Sequence, residues 1–219
     1  MLISGFLFLI YTDWYIFVLP FINTMTKADK TRAYIIEKTA PVFNRKGFAG
    51  TSLNDMEEAT GLSKGSIYGN FSNKDEVALA VFDHNLQKVN AISNTAMSNK
   101  KTVREQLLAF ANVYKDFMEH PFPAGGCPIL NTAVEADDTH PLLKKKAAAA
   151  VMGWKNKISK LVEKGIAGKE FKKTVNPEQI ALTLIATIEG GIMISKITGR
   201  KNYLYLVLES VEKMIAAIP

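Results

Sequence analysis

Between Ser63 and Asn70 the run SKGSIYGN sets out two hydroxyls, an ammonium, a phenol and a carboxamide, thinned by Gly65 and Gly69. None of these groups is an acid, so the set has neither a proton-abstracting pair nor the carboxylates of a metal site. What it offers is hydrogen-bond donors for oxygen acceptors, the contacts that phosphates and base edges take. Lys74 follows with a second ammonium. Elsewhere the reactive residue types do not converge. His84, His120 and His140 are scattered and Cys127 is the single cysteine. That leaves no metal-ligand cluster and no internal disulfide, and it suits a reducing compartment. The run EADD, Glu135 to Asp138, reads as an acidic helix end. With no convergent acid, base and nucleophile, the expectation is no enzyme, no metal and no cofactor.

Helices must position these donors. Leu53, Met56 and Ala59 recur at helical spacing behind Ser52, a natural N-cap. Gly61 supplies a turn, and Ser63 caps a second short helix whose Ile67 and Phe71 face inward. Two helices across a tight glycine turn make a helix-turn-helix, whose second helix enters the major groove of DNA. A glycine inside a helix costs about 1 kcal/mol relative to alanine. Gly65 and Gly69 therefore need a reason, and close approach of the backbone to DNA supplies one. The amides opening this helix, and the helix that begins at Ser72 or Asn73, are expected to favour phosphate. Upstream, Ile36, Ala40 and Phe43, widened by Ile35 and Val42, mark a first helix from Lys27 to Lys46. It is expected to kink at Pro41 and to end at Gly47.

The run TSLNDMEEATGLSKGSIYGNFSNKDEV, approached by FNRKGFAG, resembles the DNA-binding domain of the TetR family of bacterial transcriptional regulators. The likeness runs from about Thr31 to Phe82. It implies an all-α fold: a three-helix DNA-binding domain with a helix-turn-helix at 26–73, then a helical ligand-binding and dimerisation domain at 74–219. It also implies a cytoplasmic homodimer on a palindromic double-stranded DNA operator. Such a protein is mostly a repressor, released when a small-molecule effector enters the C-terminal domain. Carried over by position, Thr51 and Ser52 touch phosphate, while Ser63, Lys64, Gly65 and Ser66 meet base edges and backbone. Tyr68 lies against phosphate and sugar, and Lys74 grips phosphate. Asn70 stands where the family usually has His or Tyr; its amide still donates, but without a ring.

Beyond Ser98 the apolar spacing marks a helix through Val103, Leu107, Phe110, Tyr114, Phe117 and Met118, then others at Ile129 to Ala136 and Leu142 to Gly165. Pro177 suits the first position of the next helix, which ends near Gly199, and Tyr203 to Ile218 is the last. Phe110, Tyr114, Phe117, Cys127, Asn131 and Trp154 read as walls of a ligand pocket, apolar and aromatic with a few polar groups, or as plain core. Cys127 has no basic neighbour in sequence, and both a sensor thiol and a buried inert one fit it. By analogy with the family, the last two long helices pair with their mates. That places Ile180, Leu184, Ile188, Gly191 and Ile192 at the dimer interface, where Gly190 and Gly191 permit close approach, or in the chain's own core, or in both along different parts of the stripe.

Residues 1–25 form an apolar extension of a different character. MLISGFLFLIYTDWYIFVLPFINT has Asp13 as its only charge and is long enough to span a bilayer. It lacks the basic start and small-residue cleavage site of a signal peptide. Three readings stay open: a stretch ahead of a start at Met25, an anchor that would make this a membrane-anchored helical protein, or an arm packed on the protein. The formal net charge of +6 favours an anionic partner.

Overall fold

The computed structural model describes residues 26–117 and 122–219. The three readings of the apolar extension, and Met118 and His120, lie outside the described residues. Among the described residues the regular elements are nine α-helices and one 3-10 turn: α1 (Lys27–Gly50), α2 (Leu53–Thr60), α3 (Lys64–Tyr68), α4 (Lys74–Ser98), α5 (Val103–Asn112) with the 3-10 turn Val113–Asp116, α6 (Pro128–Ala136), α7 (Pro141–Ala167), α8 (Pro177–Thr198) and α9 (Lys201–Ala216).

Local chemistry sets most of these limits. Thr26, Ser52 and Thr102 each close a capping box with an acid three residues on, and Asn73 and Asn176 cap α4 and α8. Gly61 ends α2 in the left-handed region at φ 67°, and Gly199 ends α8 at φ 69°. Helical dihedrals run through Pro41, and the break in α1 falls at Gly47, φ 73°. Pro41 thus does not stop the helix, as expected. The carbonyl that proline leaves unpaired belongs to Glu37, on the exposed side of α1, where water can serve it. The α5 region is also shorter than expected, tightening into the 3-10 turn from Val113.

A small head, α1 to α3, packs its Ile35, Met56, Ile67 and Phe71 against Val77 and Val81 at the start of α4. The rest of α4 joins α5 to α9 in a larger body, with α8 held between α7 and α9. There the proposed dimer stripe needs correction. Leu184, Ile188, Gly191 and Ile192 are buried within the chain, and Ile180 is half-buried. A Cβ on Gly191 would stand 2.9 Å from Val207 Cγ1, so the close approach that glycine permits is between α8 and α9. The strongest apolar stripe of α8 serves its own core. Its outward side carries Leu182, Met193, Ile194 and Ile197, continued by Tyr205 and Leu206 of α9, all exposed.

Candidate nucleic-acid interface

The head holds α3 by its back. Ile67 is fully buried and Phe71 is 2% exposed. The Arg32 guanidinium lies 3.9 Å from the Phe71 ring centre, pairs with Glu76 at 2.5 Å and donates to the carbonyl of Asn70. The Tyr34 hydroxyl donates to Thr60 O at 2.9 Å, tying α1 to the end of α2. Ser63 accepts from the amide of Ser66 as the N-cap of α3. Ser63, Lys64 and Gly65 are exposed; Ser66, Tyr68 and Asn70 are half-buried. A Cβ on Gly65 would meet only Ser63 Oγ, at 4.0 Å, so nothing within the chain demands glycine there. Gly69 differs: it sits at the C-cap, and its Cβ would stand 3.0 Å from Gly65 O. Its reason is internal packing.

Several donors expected to face DNA are spent inside the chain. Thr51 is fully buried, and its hydroxyl donates to Gly47 O at 2.6 Å; it is not a surface contact. The Ser52 hydroxyl donates to Asp55 at 2.8 Å, and the Lys46 ammonium at 2.5 Å holds the Asp55 carboxyl well below its usual range. The amide of Lys64 donates to Glu57 at 2.6 Å, so the chain's own carboxylate occupies an amide expected for phosphate. Asn70 Nδ2 donates to Ser66 O at 2.8 Å, which uses one of its two N–H donors. Lys74 Nζ donates to Phe48 O and Thr51 O at 2.9 and 3.0 Å and sits 4.2 Å over the Phe48 ring. Two of its three donors are used. The outward donors are Ser63, Lys64, Ser66 and Tyr68.

Phe48 is the residue that sequence reading missed. Its amide and that of Ala49 donate to the two oxygens of Glu135 in α6, at 2.8 and 2.7 Å. Its ring meets His140 edge-on at 4.5 Å. A Cβ on Gly47 would fall 2.3 Å from Glu135 Oε2, so this clamp needs glycine at the break. Glu135 is thus more than the acidic end of a helix. Beside it, Asn131 Nδ2 donates to Asn44 O and Gly125 O, each at 2.9 Å, and Asn131 Oδ1 accepts from Lys196 at 2.7 Å. Asn131 fastens α6 to α1 and lines a cleft beside Asn44 and Glu135, apart from the aromatic residues expected to share a pocket with it. No local sequence signal marks these partners, because they lie some 90 residues apart.

The remaining pocket residues do come together, as a packed cluster. Phe110 lies 5.8 Å from Tyr114 and 6.2 Å from Trp154, and Tyr114 lies 5.6 Å from Phe122, all edge to face. Phe117 is buried against Gly126. Trp154 Nε1 donates to Asn90 Oδ1 at 2.8 Å, beside a groove of about 470 Å³ between α4 and α7. The Cys127 thiol donates to Glu189 Oε1 at 3.0 Å, and burial together with the Glu189 charge pushes that thiol up, away from thiolate.

Residues 35–81 match the family described as bacterial regulatory proteins, tetR family, and residues 104–211 match a tetracyclin repressor-like C-terminal domain. The crystal structure of a TetR-family transcriptional regulator from Cytophaga hutchinsonii is 47% identical, over 88% of this chain and 96% of its own, with TM-score 0.82. A TetR transcriptional regulator from Chloroflexus aurantiacus J-10-FL is 37% identical over 87% of this chain and 96% of its own, with TM-score 0.84. The HTH-type transcriptional repressor DhaR of Mycobacterium sp. (strain GP1) is 25% identical over 175 residues, 78% of this chain and 85% of its own.

Proposed function

The chain belongs to the TetR family of bacterial transcriptional regulators, DNA-binding proteins and not enzymes, and on that premise we propose a homodimeric repressor that leaves a palindromic operator when a small molecule enters its helical body. The observation that carries this reading is the outer edge of α3. Ser63, Lys64 and Gly65 stand exposed, with Ser66 and Tyr68 half-buried beside them, on a thin rod that Ile67 and Phe71 fix from behind. A rod of that width fits the major groove, and its donors match phosphate and base oxygens. The apolar outward side of α8 and α9 suits a second copy, and two-fold pairing would set two such rods about 34–36 Å apart, one turn of DNA. The relative named as a repressor supports the sign of the effect. The aromatic cluster around Tyr114 supports the site of effector entry. The work is then cytoplasmic, beside the chromosome.

Footprinting on DNA flanking the chain's own gene tests the reading. A protected palindrome is expected, with Tyr68→Ala, assayed where the variant is still folded, weakening it about tenfold or more, an effect of the 1–3 kcal/mol scale of a lost contact. Purified protein that protects no segment, or a Tyr68→Ala variant with full affinity, would overturn it.

A further inference from the structure

Glu189 of α8 is an acid whose placement the DNA-binding role leaves unexplained. Its Oε1 accepts from the Cys127 thiol at 3.0 Å, while Oε2 is shut off from solvent and has no partner. The Tyr114 hydroxyl, fully buried, is also without a partner, and Ser93 beside it donates its own hydroxyl to Val89 O. Glu189 Oε1 is held by the Cys127 thiol, and Lys196, whose charge acts on Cys127, is bonded to Asn131. A carboxylate so placed is costly until something neutralises or pairs it. Around Tyr114 stand the rings of Phe110, Phe122 and Trp154, with centres 5.6 to 6.4 Å from its own. Aromatic faces attract cations and shelter apolar groups.

We propose that Glu189, with Tyr114 and Cys127 beside it, is the recognition point for a lipophilic ammonium ion whose apolar part lies among these rings. The inference rests on the reading that a small molecule enters the helical body, and it names the chemical class. The ammonium donates to Glu189 Oε2 and to the Tyr114 oxygen, supplying the charge and the hydrogen bonds that the chain leaves unmade. A neutral alcohol can satisfy the hydrogen bonds but not the charge, and a carboxylate is repelled. Entry requires the rings to part, and that displacement reaches α5, α7 and α8 together.

The test is calorimetric titration of the full chain at neutral pH with three matched probes: 2-phenylethylammonium, 2-phenylethanol and 3-phenylpropionate. The ammonium is expected to bind at least tenfold more tightly than the alcohol, and the carboxylate least. In Glu189→Gln, an isosteric change, the preference for the ammonium should fall to within about twofold while alcohol binding persists, and Tyr114→Phe should weaken the ammonium several-fold. Equal binding of the three, no binding of the ammonium, or a Glu189→Gln variant that keeps its preference would each overturn the proposal. Operator release is measured separately by gel shift. An ammonium that binds without releasing DNA leaves this site standing and removes the effector reading instead.

Discussion

Burial pushes the Glu189 carboxyl up to about 7, against the pull of the Cys127 thiol. The folded chain therefore holds a proton there that the unfolded chain gives up near the ordinary glutamate value of about 4.3. The sign follows: the folded state binds more protons across this window, so stability is greatest below it and falls as pH rises through about 7. The loss is on the order of 3 kcal/mol. Melting temperatures from pH 5 to 8 should fall in the native chain and fall markedly less in Glu189→Gln; equal slopes would show that another group is responsible. At Thr51, replacing the hydroxyl by Thr51→Val should cost about 1 kcal/mol in denaturant unfolding, for the lost bond to Gly47 O, and leave operator affinity of the folded protein unchanged. Such residues show where sequence reading stops. Ser63, Thr51, Lys74 and Asn70 are all donors in one recognisable run, but type and spacing do not say which donors the chain claims for itself. Gly47 O claims Thr51, Phe48 O and Thr51 O claim Lys74, and Ser66 O claims Asn70.

At the scale of elements, limits were legible wherever the cause is local. Ser52, Gly61, Ser63, Pro177 and Gly199 all stand at helix ends as their chemistry requires. The two glycines of the α3 region separate packing from recognition. Gly65→Ala projects into open space and replaces a poor helix former, so melting temperature should hold or rise slightly while operator affinity drops. Gly61→Ala forces a Cβ at φ 67° and should cost about 1–2 kcal/mol of stability, measured by denaturant unfolding. The face of α8 was harder to read. Leu184, Ile188 and Ile192 keep helical spacing, and so do the exposed residues beside them. A helix apolar on most sides carries no periodic signal for which side meets its own chain. Three-dimensional neighbours decide it, and those come from α7 and α9.

For the whole molecule, the apolar side that α8 and α9 leave uncovered is the surface on which the proposed dimer would form. Ile197 is 79% exposed and Leu206 57%. Ile197→Asp with Leu206→Glu should shift the chain toward monomer in light scattering without unfolding it, since neither side chain supports the core. Ile188→Ala should instead cost about 2–5 kcal/mol of stability through a buried cavity. A double variant that remains a dimer would move the interface elsewhere.

The carboxylate of Glu135 reaches across from α6 to hold the amides of Phe48 and Ala49, at a glycine whose replacement would push that carboxylate aside. The reading head therefore borrows one of its own fastenings from the other body. A chimera made by transplanting 26–73 onto a foreign scaffold would leave those two amides bare unless α6 travelled with it. The exchangeable cassette is the head together with a helix that lies some 60 residues further along the chain.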